Sequence, residues 1–131
     1  MSQVPPAAKC TILVVDDEPL VRFNAVDIFE EMGFEVIEAA DGVEALAILE
    51  SRSDIGLLFS DCRMPRMTGP ELAAVASRRW PNLRIVLVTG YVSAEDVKDW
   101  PLLWKPYKAE DIQRIVAHRE VGAKRSRHSA A

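Results

Sequence analysis

The feature that most constrains this chain is an apolar run that stops at a charge. Residues 55–60, Ile-Gly-Leu-Leu-Phe-Ser, end at Asp61, and the chain turns at Pro65. A short run without polar alternation fits a strand covered on both faces, which calls for neighbouring parallel strands and flanking helices. Three further apolar runs end in the same manner. Residues 11–15 stop at Asp16-Asp17, residues 84–88 at Thr89, and residues 102–104 at Lys105.

Between these runs the spacing becomes helical. Val21, Ala25, Ile28 and Met32 recur at i, i+4, i+7 and i+11, predicting a helix from Pro19 to about Met32 that Gly33 stops. Residues 35–39 read as a short strand. Asp41 is the N-cap of a helix reaching about Glu50, with Ala45, Leu46 and Leu49 inward. Pro70 opens a helix to about Arg79, with Leu72, Val75 and Ala76 as its stripe. Ser93 caps a short polar helix that ends before Pro101, and a last helix runs from about Lys108 to Val121 on Ile112, Ile115 and Val116. Five strands alternating with five helices predict an α/β fold, a doubly wound five-stranded parallel sheet with right-handed crossovers.

The 131 residues suffice for one such domain. It is expected over residues 10–121, between a loose leader, 1–9, and a frayed basic tail, 122–131. The net charge of −4 understates the acidity of the body, because Lys124, Arg125 and Arg127 follow the last carboxylate, Glu120. An acidic body repels nucleic acid and gathers divalent cations. Cys10 and Cys62 are too few for a disulfide framework or a zinc site, which points to a reducing, cytoplasmic setting. Cys62 reads as a passive loop residue. Trp80, Trp100 and Trp104 read as packing residues rather than a stacking platform for bases. No apolar run has the length of a signal peptide or a membrane span.

A parallel sheet puts the carboxyl ends of all its strands on one edge, where ligands bind in open α/β folds. Asp16, Asp17, Asp61, Thr89 and Lys105 therefore converge. Three carboxylates together repel one another, and two cations can offset them: the Lys105 ammonium and a bound metal. An all-oxygen set without His or Cys suits Mg²⁺. The central carboxylate is then a plausible nucleophile towards phosphorus, with Thr89 and Lys105 facing the oxygens of a transferred phosphoryl group.

These pieces resemble the receiver domain of two-component response regulators over roughly residues 10–120. The matching stretches are Val14-Val15-Asp16-Asp17-Glu18-Pro19, Asp41-Gly42-Val43-Glu44-Ala45-Leu46, Asp61-Cys62-Arg63-Met64-Pro65, Val88-Thr89-Gly90 and Trp104-Lys105-Pro106. The resemblance implies a flavodoxin-like sheet of order 2-1-3-4-5. It implies that Asp61 accepts a phosphoryl group from a sensor histidine kinase or a histidine phosphotransfer protein. It also implies that Asp17, Asp61 and the backbone carbonyl of Arg63 hold Mg²⁺, with Asp16 acting through metal-bound water. Thr89 and Lys105 would bind the phosphoryl oxygens, and the Lys105-Pro106 bond would be cis.

Two departures stand out. Only 15 residues separate Thr89 from Lys105, shortening the fourth helix as in some single-domain and hybrid-kinase receivers of proteobacteria. The fifth-strand position that many receivers fill with a switch aromatic is Leu102, leaving Tyr91 as a substitute that moves with Thr89. About ten residues follow Val121, so the expectation is a stand-alone receiver, monomeric or weakly dimeric, acting on a downstream protein target or within a phosphorelay. The alternative within this class is a pseudo-receiver, an adaptor that is never phosphorylated. A phosphatase of the haloacid dehalogenase type would place a second acid at Arg63 and carry a cap insertion, and the sequence has neither.

Overall fold

Every residue of the first strand, β1 (Thr11–Val15), is buried, so it lies inside a sheet with partners on both edges. The computed structural model describes residues 10–90 and 99–117. In it β1 pairs in parallel with β2 (Glu35–Ala39) and β3 (Ile55–Asp61). β3 pairs with β4 (Arg84–Thr89), and β4 with β5 (Leu102–Trp104), giving the order β2-β1-β3-β4-β5 expected above. The described helices are α1 (Pro19–Glu31), α2 (Gly42–Ser51), α3 (Gly69–Arg79) and α4 (Ala109–Ala117). The helix expected from Ser93, the end of the last helix, the leader and the tail fall wholly or mostly outside the described residues.

Successive side chains of a strand point to opposite faces, and the core divides accordingly. Leu13, Val15, Leu58 and Leu87 pack on one side with Ala45 and Leu49 of α2 and Leu72, Ala73 and Ala76 of α3. Ile12, Val14, Leu57, Phe59, Val86 and Val88 pack on the other with Ala25, Val26 and Phe29 of α1 and Ile112 of α4. On this second face Phe29 meets Phe59 at 5.1 Å between ring centroids, and Phe59 meets Tyr107 at 5.8 Å, both edge to face. Such pairs add about 0.5–1.5 kcal/mol each beyond their buried area.

Three details differ from the sequence reading. The inner stripe of α1 is Ala25, Val26 and Phe29, with Val21, Ile28 and Met32 only half-buried. The helix is rotated so that Phe29 sits under the sheet, and this brings Arg22, two turns earlier, to the inner side. The third helix starts before Pro70. Thr68 caps it, accepting from the Glu71 amide at 3.2 Å while Glu71 accepts from the Thr68 amide at 3.0 Å. This reciprocal box satisfies two backbone donors and fixes where the loop after Asp61 ends. Finally, Trp80 and Trp100 do pack against the core, but Trp104 is 52% exposed, because β5 is an edge strand and its outer face lacks a covering helix among the described residues.

Gly69, at the first turn of α3, lies against the backbone of the residue that matters most. A Cβ built there would come within 2.3 Å of the Asp61 carbonyl oxygen. The Gly69 amide also donates to the Cys62 carbonyl at 2.9 Å, closing the loop on itself. Gly69→Ala is therefore expected to lower stability by about 1–3 kcal/mol through forced backbone displacement, as read by urea denaturation.

Candidate functional site

Four strand ends build the site. Asp16 follows β1, which is too buried to tolerate a charge until it leaves the sheet. Its Oδ1 accepts from the Glu18 amide at 2.9 Å, turning the chain into Pro19 at the head of α1. Asp61 is the last residue of β3, and its successor Cys62 still donates to the Val88 carbonyl at 2.9 Å. Thr89 ends β4 and is 1% exposed. Its carbonyl accepts from the Lys105 amide at 2.7 Å, which carries the edge pairing one step past Trp104. The Lys105-Pro106 peptide is cis.

The carboxylates of Asp16, Asp17 and Asp61 each offer an oxygen within 4.8 Å of the others. Asp16 and Asp61 are buried, and Asp17 is exposed. Lys105 Nζ lies 3.3 Å from Asp16 Oδ2 and 3.2 Å from Asp61 Oδ1, bridging the two buried acids. Burial, then the Asp16 charge, pushes the Asp61 carboxyl up to about 6, against the pull of Lys105. Burial works to lower Lys105, yet the Asp61 and Asp16 charges outweigh it and its pKa is raised. Tyr107 is likewise raised, by burial and by the same two carboxylates.

The donor set fits a hard divalent cation. It is all oxygen, partly exposed on one side, and carries more negative charge than one lysine offsets. Of the residues singled out in the sequence, Asp16, Asp17, Asp61 and Lys105 converge, Thr89 stands at the adjoining strand end, and Arg63 is exposed in the loop after Asp61. Tyr91 lies outside the described residues.

One participant escaped the sequence reading. Arg22 Nη1 donates to the Asp16 carbonyl at 2.6 Å, and its Nε to Glu38 Oε1 at 2.8 Å. The available signal was an arginine three residues before Ala25, on the stripe that α1 turns inward.

The model of the response regulator receiver domain family matches residues 12–117. The chain belongs to this family. The receiver is similar to the sensor kinase CckA of Brucella abortus, 32% identical over 117 residues that cover 84% of this chain and 12% of that protein. It is also similar to sporulation initiation phosphotransferase F of Bacillus subtilis, 29% identical, covering 80% of this chain and 89% of that one. Among solved structures, the response regulator TrrA of Thermotoga maritima in complex with Mg²⁺–BeF superposes with a TM-score of 0.76 at 29% identity, covering 82% of this chain and 96% of that one. Receivers are signalling modules. Among the described residues no helix is long and apolar enough to cross a membrane.

The raised Asp61 carboxyl has a thermodynamic consequence when no divalent cation is present. Between roughly pH 4 and 6 the folded state holds a proton that the unfolded chain has released. The stability tied to that proton is present at low pH and lost as pH rises through about 6. Asp61→Asn in a chelator should therefore be more stable than the parent at pH 7, by roughly 1–2 kcal/mol after solvent screening, and should lose that advantage near pH 4. Urea melts at both pH values measure it, and a variant less stable than the parent at pH 7 would contradict it.

Proposed function

We propose that this receiver is a phosphorylation-controlled binding module whose acceptor is Asp61. The observation that carries the proposal is the bridging of two buried carboxylates by Lys105 beside the more exposed Asp17, at the carboxyl edge of the sheet. An Asp61 oxygen attacks the phosphorus of a phosphohistidine on a sensor kinase or phosphotransfer protein. A P–O bond forms as the P–N bond breaks, and the imidazole leaves with the electron pair and takes up a proton from solvent.

Asp16, Asp17, Asp61 and the Arg63 carbonyl would hold Mg²⁺, which when bound neutralises charge on acceptor and phosphoryl group alike. The chain's own residues do the remainder. Asp61 sits at the end of a buried strand, so its oxygen is presented in one direction. Lys105 exchanges part of its carboxylate pairing for the incoming oxygens and retains a positive charge throughout. The Thr89 hydroxyl donates to a second oxygen from the neighbouring strand end. The output is contact with a downstream protein target or onward transfer in a phosphorelay, in the cytoplasm, where kinases have their phosphodonor. The curated phosphotransferase and sensor-kinase relatives support this reading.

Intact mass after incubation with Mg²⁺ and acetyl phosphate tests it. One added phosphoryl group, alkali-labile, absent in chelator and absent in Asp61→Asn, is the expected result. Lys105→Met should label at least about tenfold more slowly, because its charge is asked for in the transition state. No gain from acetyl phosphate or from a panel of phosphorylated kinases would sink the proposal and leave the adaptor that is never phosphorylated.

A further inference from the structure

We infer that residues 38–42, from the end of β2 to the start of α2, are a common buttress for the two loops that carry the acidic cluster, and that Arg22 and Arg66 are positioning residues fastening those loops to it. This assignment deepens the receiver reading and rests on it.

The first loop, at Asp16, is held through both backbone polar groups of that residue. Its amide donates to the Ala39 carbonyl at 3.2 Å. Its carbonyl accepts from Arg22 at 2.6 Å, and the same guanidinium binds Glu38 at 2.8 Å. The Arg22 side chain is 18% exposed, its bond to the Asp16 carbonyl is partly buried, and its pair with Glu38 lies towards solvent, so one guanidinium spans both partners in a fixed fork. Ala39 directly, and Glu38 through Arg22, thus secure the amide and the carbonyl of one residue from the end of a single strand.

The second loop follows Asp61 and contains Arg63. Its tip, Arg66, pairs with Asp41, whose Oδ1 meanwhile caps α2 by accepting from the Glu44 amide at 2.8 Å. Arg66 has a φ of +69°, a conformation in which glycine or asparagine is favoured and a long side chain is out of place. Two-thirds of its side chain is exposed, where ion pairs add little to stability. An arginine kept in a disfavoured backbone for a pair that contributes little to folding points to a role in holding the loop. The neighbour Met67 closes the same contact: a Cβ at Gly42 would lie 2.8 Å from its Sδ.

Both loops therefore end on one stretch of five residues. The separation between Asp16 and Asp17 on one side and Asp61 and Arg63 on the other is set there, as well as by the pairing of β1 with β3. Residues that orient ligands from behind are worth about 10–100-fold in metal affinity.

The test compares the parent with Arg22→Met, Arg66→Gly, Asp41→Asn and the double variant Arg66→Gly/Asp41→Asn. Glycine accepts the left-handed backbone, and asparagine still caps α2, so both substitutions remove the pair and spare the elements around it. Mg²⁺ affinity is read by isothermal titration calorimetry, stability by urea melts, and labelling by acetyl phosphate as a function of Mg²⁺. Arg22→Met and Arg66→Gly should bind Mg²⁺ about tenfold more weakly. Their labelling should recover at saturating Mg²⁺, and Arg66→Gly should be as stable as the parent or more so. The double variant should be no weaker than its singles, as for two ends of one contact.

Unchanged Mg²⁺ affinity in Arg66→Gly, or losses that merely follow falling stability, would overturn the buttress. The exposed Arg66 position keeps the test independent of whether Arg22→Met folds. A parent that neither binds Mg²⁺ nor accepts a phosphoryl group would instead bring down the receiver reading, and with it this assignment.

Discussion

Two buried carboxylates facing each other are the constraint on which the rest of this structure depends. Asp16 and Asp61 end the two central strands, so sheet geometry forces them together whether or not electrostatics favours it. Lys105, arriving from the edge of the sheet, is the counter-charge paired with both acids, and the Asp61 carboxyl is still raised, by burial first and then by the Asp16 charge, against its pull. The site is left wanting positive charge. That deficit is what a divalent cation and an electrophilic phosphorus would satisfy in the proposed reaction, so the strain of the resting site and its chemistry have one origin.

Much of this was legible in the sequence because the signals were local. Unbroken apolar runs gave the strands, and the residues at their ends gave Asp16, Asp17, Asp61, Thr89 and Lys105. The parallel topology then carried those five residues to one edge. What escaped depended on partners far along the chain. Arg22 lies off the apolar spacing of α1, and its place is decided by the rotation that packs Phe29 against Phe59. Arg66 was a loop residue without evident purpose, since its partner Asp41 lies 25 positions earlier and already had a role as a cap. The Thr68–Glu71 box was local and readable, but Pro70 drew the helix start to itself. Trp104 was read as core because tryptophan usually is; the edge position of its strand decides otherwise.

The two faces of the sheet carry different burdens. The buried centre of the face under α2 and α3 is built mainly of leucines, alanines and Val15, with Trp80 and Trp100 at its margin. The face under α1 and α4 is threaded by Phe29, Phe59 and Tyr107 in edge-to-face contact, reaching from the last turn of α1 to the residues just after Lys105. Rings in such contact resist independent rotation, so α1 and the stretch following β5 are mechanically joined beneath the acidic edge.

β5 has three residues, pairs among the described residues with β4 alone, and leaves half of Trp104 in solvent. Beyond its register with β4 it is secured by backbone bonds from Leu87 to Pro101 and from Lys105 to Thr89. Segments with little buried area and an open edge are the first to come away in sub-global opening. The counter-charge of the whole site is thus mounted just past the shortest strand of the sheet. Loss of that edge pairing would strip Asp16 and Asp61 of their lysine while β1 and β3 stay paired, so the charge balance of two interior acids hangs on three residues at the margin.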